Sequence, residues 1–186
     1  GRVFFLNTTT KALTEVNTDS PTTPAGLART PYSLAYYLDH LVYGGYQSDG
    51  TENESIIYSA RDDASPVLEQ KLDTPYFRAS CMAVYKGELF AGFHMRDTGV
   101  GVIDFAQIWG RVAAHATSGT DPWTTRLTAS GGTAVANNFF VSMVVFDGNL
   151  YASYYNFTQT AKIYKYDGTS WTTQYTGSTA GTRAPL

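Results

Sequence analysis

One hairpin pattern recurs along this chain of 186 residues, and that recurrence limits the folds open to it. Its clearest copy lies at residues 142–176. Met143-Val144-Val145-Phe146 runs into Asp147-Gly148, and Leu150-Tyr151-Ala152-Ser153-Tyr154 returns. Asp-Gly between two β-rich runs is a strong hairpin signal, because a two-residue turn of this kind needs positive φ at both positions. After the polar stretch 156–160, a second hairpin follows: Lys162-Ile163-Tyr164-Lys165-Tyr166, a turn at 167–170, then Trp171-Thr172-Thr173-Gln174-Tyr175-Thr176. Four short strands with no helix to cover them have an apolar face to bury. Stacking against further copies of the same unit buries it.

Those copies are present. Residues 83–93 align without a gap to 144–154, and residues 36–46 are read in the same register, with Val42, Leu89 and Leu150 as anchors 47 and 61 residues apart. In that register His40 falls in the turn, where Lys86-Gly87 and Asp147-Gly148 sit. The outer hairpin repeats as well: Trp123-Thr124-Thr125 precedes Trp171-Thr172-Thr173 by 48 residues. A four-stranded unit repeating about every 50 residues is the pattern of radially stacked sheets.

Along the chain, residues 1–17 read as the outer half of a unit and 18–30, with Pro21 and Pro24, as a connection without strand. Complete units follow at 31–73, 74–128 and 129–176, and 177–186 reads as a flexible tail. In the first unit strands are expected at 33–38, 41–46, 55–59 and 67–72. In the second, a loop is expected at 95–104, a third strand at 107–112 and a short helical turn at 113–116. The loop 129–138 then leads into the third unit. The count is 14 strands.

Gly44-Gly45 at the end of a second strand, and Tyr164 followed by Trp171 across the outer turn, resemble kelch repeats, as do the period and strand order. The resemblance covers residues 31–176. The double glycine becomes Ala91-Gly92 and Ala152-Ser153 in the later units. Propellers of lectins and of phage fibre or spike proteins carry similar Tyr-Asp-Gly hairpins. The resemblance implies an all-β fold: a β-propeller of four-stranded antiparallel blades, about three and a half of them in this chain. Fewer than four blades cannot close, so open edges are expected, to be completed by further polypeptide or by a second copy, unless a further strand in 18–30 or the tail closes a small sheet. Asp167-Gly168-Thr169-Ser170-Trp171 is also similar to the Asp-box of sialidases, but that motif separates Asp from Gly by one residue, and no arginine trio accompanies it here.

Composition narrows the function. Only 16% of residues are charged and the net charge is −3, which supplies no basic footprint for nucleic acid or an anionic membrane. No apolar run approaches the roughly 20 residues of a spanning helix. The chain starts at Gly1 without Met, as a trimmed or partial product would. Aromatics make up 15%, with many Thr, Ser and Asn, a balance commoner at an extracellular or virion surface. The single cysteine, Cys81, excludes an intrachain disulfide and reads as a small buried hydrophobe. His40, His94 and His115 share no metal-ligand spacing, and no nucleophile elbow, phosphate loop or dinucleotide fingerprint occurs. No catalytic residue, metal or cofactor is therefore expected.

The expected work is binding or assembly, as a fibre, spike or adhesion component would do it. Partners are a protein or further polypeptide, in a homo-oligomer or larger assembly, with a lectin-like glycan site as the alternative and an enzyme on this scaffold as a remoter one. In up-and-down blades the 2–3 loops and the connections between blades share one face. Here these are 47–54, 95–104 and 155–160 with 74–79 and 129–138. Tyr46, Phe93, His94, Tyr154, Tyr155 and Asn156 flank that face and are the candidate ligand-binding residues, since aromatics beside amides stack on sugars or anchor a partner. Asn7, Asn53 and Asn156 each open an N-glycosylation pattern.

Overall fold

The computed structural model describes residues 3–6, 13–16, 28–48, 53–60, 67–72, 76–96, 103–112, 123–135, 137–156 and 161–177. Among the described residues the secondary structure is all strand, and all strand pairing is antiparallel. Strands β1 (Val3–Leu6) and β2 (Leu13–Val16) form a two-stranded ladder. A four-stranded sheet follows, in the order β3 (Ala28–Tyr37), β4 (His40–Ser48), β5 (Asn53–Ala60) and β6 (Val67–Leu72). The remaining eight strands join in one sheet that contains two such meanders. The first is β7 (Tyr76–Tyr85), β8 (Glu88–Arg96), β9 (Ile103–Arg111) and β10 (Thr124–Val135). The second is β11 (Asn137–Phe146), β12 (Asn149–Asn156), β13 (Lys162–Tyr166) and β14 (Trp171–Thr176). A short ladder joins them, pairing Asn137 with Arg96, Asn138 with Met95 and Phe139 with His94.

The inner hairpins turn on two residues with positive φ: Lys86-Gly87, Asp147-Gly148 and, in the first meander, Leu38-Asp39. This corrects the register expected for residues 36–46 by one place. The turn is Leu38-Asp39, at φ 48° and 62°, and His40 begins β4 opposite Tyr37. Asp tolerates the left-handed region, while Leu38 has no glycine's freedom there, so the sequence carried no clear turn signal. Aligned on the turns, Gly44, Gly92 and Ser153 are equivalent, as are Tyr37, Tyr85 and Phe146.

Several expected loops are strand. Ala28–Thr30, read as connection, open β3, and Pro31 is tolerated because β3 is an edge strand whose outer side needs no donor. Residues 129–135, read as loop, continue β10 on the sheet's edge: Ala129 pairs with Ala106, Ser130 with Phe105 and, past a bulge, Val135 with Ile103. An edge ladder of backbone bonds needs no apolar alternation, which is why the Gly-rich run looked like a loop. Similarly, β9 starts at Ile103 rather than 107, β7 takes in 76–79, and β12 runs on to Asn156. The turn expected at 113–116, residues 178–186 and the loop centres 49–52, 97–102 and 157–160 lie outside the described residues.

The three meanders stack in order. Strands β3, β4 and β5 lie against β7, and β7, β8 and β9 lie against β11. Between them one core gathers Val42, Ile57, Met82, Leu89, Phe90, Ile108, Phe140 and Leu150. A second cluster, Tyr43, Ile56, Tyr58 and Ala60, is buried on the far side of the first sheet, with Tyr43 and Tyr58 stacked at 5.6 Å. Cys81 is buried in the main core, and burial pushes its thiol up to about 12 against a weaker opposing pull from the Gly92 and Ser80 hydrogen bonds. Burial also raises the phenols of Tyr76 and Tyr164. All three groups stay protonated in the fold at pH values where an unfolded chain would already lose the proton. Their contribution is therefore complete below about pH 9 and declines as pH rises toward 12. Denaturant midpoints should be flat from pH 7 to about 9 and fall above it, and a thiol reagent at pH 8 should label Cys81 only as fast as the protein unfolds.

Candidate functional site

Each junction between meanders is built by the same devices. The Tyr37 hydroxyl donates to the Gly87 carbonyl at 2.9 Å, and the Tyr85 hydroxyl to the Gly148 carbonyl at 2.7 Å, so a tyrosine ending one first strand holds the next hairpin turn. Ser33 Oγ donates to the Ala79 carbonyl at 3.1 Å and Ser80 Oγ to the Phe140 carbonyl at 2.6 Å. Gly44 and Gly92 leave room for the incoming strand. A Cβ on Gly44 would lie 2.6 Å from both Ala79 Cβ and Met82 Cε, and one on Gly92 2.9 Å from Phe140 Cβ. Rings fill the wedge: Phe90 meets Tyr166 at 5.7 Å and Trp171 at 6.4 Å. At the first junction the fully buried Glu69 and Arg111 form an ion pair from β6 to β9.

The third meander repeats this front face, and among the described residues no following meander lies on it. A groove of about 410 Å³ is lined by Ser142, Val144, Phe146, Tyr151, Ser153 and Ile163. Phe146, equivalent to the locking tyrosines, is 68% exposed, and Val144 is 58% exposed. The devices have changed there. Phenylalanine has no hydroxyl to hold a further turn, and Ser153 takes the place of the notch glycine and bonds Ser142 across the hairpin at 2.9 Å.

The six residues singled out in the sequence divide by direction. Tyr46, His94 and Tyr155 hold equivalent positions, eight residues past the first turn residue of each meander. They lie in one row with rings from the first strands: Tyr46–Phe77 at 5.3 Å, Phe77–His94 at 5.1 Å, His94–Phe139 at 4.9 Å and Phe139–Tyr155 at 5.4 Å. The row crosses both junctions. Tyr32 extends it, 6.0 Å from Tyr46, and the Arg78 guanidinium lies 4.1 Å over the Tyr32 ring. The Arg78 Nε is buried with no hydrogen-bond partner among the described residues. Tyr32, Phe77, Arg78 and Phe139 were not singled out in the sequence, because only the pairing of first with second strands brings them to the row.

Phe93, Tyr154 and Asn156 point the other way and are buried. Phe93 stands edge-on to Tyr76 and Trp109, each at 5.5 Å. Asn138 Oδ1 accepts from the Tyr154 hydroxyl at 2.7 Å and from Asn156 Nδ2 at 3.0 Å. That knot uses the amide of one glycosylation pattern, so a glycan on Asn156 and this packing exclude each other. Asp167 caps the outer turn similar to an Asp-box. Its Oδ1 accepts from the backbone N–H of Ser170 at 2.9 Å and of Thr169 at 2.7 Å, which holds the carboxyl below its usual range. The carboxylate is thus occupied with shaping its own turn. Among the described residues no three His, Cys, Asp or Glu side chains gather as a metal centre would require, and no helix is long and apolar enough to cross a membrane.

Neither a scan against protein-family models nor a search of curated proteins finds a match to this chain.

Proposed function

We propose that the chain is part of a β-propeller of kelch-like four-stranded blades, and that its work is assembly and binding through the front face of its third blade. The observation that supports this reading is the open groove between Val144, Phe146, Tyr151 and Ile163, on a face whose two counterparts in the same chain each carry a following blade. An exposed contiguous apolar patch rimmed by serines is the ordinary mark of an interaction surface. An apolar naphthalene-sulfonate dye tests it. At low protein concentration the native chain should enhance the dye's emission, and Phe146→Asp should remove most of that enhancement without changing the melting temperature. Equal dye emission from both proteins would count against the face.

A glycan site is the second reading, favoured by Arg78 lying over Tyr32 at the end of the aromatic row. A ring face beside a guanidinium suits a carboxylated sugar. Glycan-array binding lost on Tyr32→Ala and on Arg78→Ala would support it, and hits untouched by both would remove it.

A further inference from the structure

The three front faces differ in a consistent way. Across the first, the register sets Ala35 beside Val42 and Val42 beside Ser59; across the second, Ala83 beside Phe90 and Phe90 beside Gly110. Across the third, the same row reads Val144, Tyr151 and Lys165. Val42, Ser59 and Phe90 are buried, and Ala35 and Ala83 pack against the main core. The third face is built up wherever the other two are small: Val144 replaces alanine, Lys165 replaces Ser59 and Gly110, and Ser153 replaces the notch glycine. A meander arriving at the internal spacing would meet the Ser153 Cβ, since one on Gly44 would lie 2.6 Å from Ala79 Cβ. The charges change as well. On the second face the Glu88–Arg126 ion pair lies over Gly110. At the equivalent places the third face has Asn149 and Gln174, both neutral, whose amides bond the Asp147 carbonyl and Thr172 Oγ1. Lys165 is left as a lone cation there, and among the described residues it has no ion-pair partner.

We infer that the third front face is a ligand site for an aromatic carboxylate, with Lys165 as the counter-charge. This rests on the reading of that face as an interaction surface and names its occupant, a small ligand and not a further blade. The groove of about 410 Å³ falls within the roughly 300–1,000 Å³ of small-molecule sites. Phe146 and Tyr151, with ring centroids 6.4 Å apart and planes at 57°, join Val144 and Ile163 as walls for a flat apolar ring. Lys165 stands two residues after Ile163 on β13 and opposite Tyr151 in register, so its side chain leaves the sheet on the groove's side. A carboxylate carried by a ring in the groove meets the ammonium there, and a charged acceptor makes the stronger kind of hydrogen bond. The hydroxyls of Ser142 and Ser153 bond each other at 2.9 Å, which leaves Lys165 as the group that selects for charge.

Equilibrium dialysis of the whole chain against naphthoate and against naphthamide, the same ring without the charge, tests this. The wild type should bind naphthoate roughly three- to tenfold more tightly, the worth of one partly exposed charge contact. Lys165→Gln should bind the two ligands alike, at the naphthamide level, while Lys165→Arg keeps the preference. Phe146→Asp should weaken both ligands. Circular dichroism checks the fold of each variant, and Lys165→Met replaces Lys165→Gln if the latter misfolds. Equal binding of the two ligands by the wild type overturns the inference, as does a preference for naphthoate that survives in Lys165→Gln. A wild type that runs as a dimer on a sizing column, with Phe146→Asp as a single chain, gives the face to a second copy and also overturns it. The two levels separate in the same data. Binding that is lost in Phe146→Asp but indifferent to charge removes the carboxylate assignment alone. Binding of neither ligand, by a protein that stays a single chain, removes the interaction face as well.

Discussion

Glu69→Ala should cost about 3–5 kcal/mol of unfolding free energy, the largest effect expected of any single substitution here. Glu69 and Arg111 are both fully buried and pair across the junction of the first two meanders. Removing the carboxylate leaves a guanidinium in an interior where water cannot reach it. Trp123 offers a ring 5.9 Å from its charge centre, a weak substitute for an anion. Arg111→Ala should do similar harm by taking the buried carboxylate's cation away. Replacing both partners, as Glu69→Leu with Arg111→Met, should recover most of the loss, because an apolar pair of similar volume avoids the desolvation cost. Denaturant unfolding of wild type, Glu69→Leu, Arg111→Met and the double variant gives the cycle. Additive losses in the double variant would mean that the pair does not act as a unit.

Gly44→Ala is the second large effect, expected at about 1–3 kcal/mol from overpacking. The added methyl would come within 2.6 Å of Ala79 Cβ, which cannot swing aside because it is fixed to the backbone of β7. Gly92→Ala should follow with a similar or smaller loss, since one of its two closest atoms is the Cys81 sulfur at 2.7 Å. The contrast lies in the third meander. Ser153 already carries a Cβ at the equivalent place, so Ser153→Ala should cost little beyond its hydrogen bond with Ser142. Chemical denaturation of the three variants ranks them, and a Gly44→Ala protein as stable as wild type would contradict the close approach of β7.

The sequence made the all-β class and most strand positions legible, because alternation and Asp-Gly turns act locally. Lys86-Gly87 and Asp147-Gly148 place their hairpins without help from tertiary structure. Leu38-Asp39 shows the limit. The same turn is made by a residue that disfavours it, so a one-residue error in register followed, and with it the wrong facing for Val42 relative to Leu89. Edge strands hid for another reason. Ala28–Thr30 and residues 129–135 pair through backbone ladders, and their sequence offers no apolar period to read. The candidate residues were legible as aromatic and amide types near one end of the meanders, but not in direction. Alternation on β8 and β12 sends His94 and Tyr155 along the row while Phe93 and Tyr154 turn into the core. The close-packed Gly44 and the wedge of Tyr166 and Trp171 were legible from the resemblance, but the hydroxyl locks were not, since Tyr37 meets Gly87 and Tyr85 meets Gly148 from 50 and 63 residues away.

The central claim is that one junction is used twice and then left open. Amide hydrogen exchange followed strand by strand by mass spectrometry tests it most directly. The account predicts that β7, β8 and β11, which lie at or between the two filled junctions, exchange slowest and open together, and that Gly92→Ala speeds exchange in the second and third meanders alike. Independent opening of β11–β14, with β7–β10 unaffected by Gly92→Ala, would contradict it.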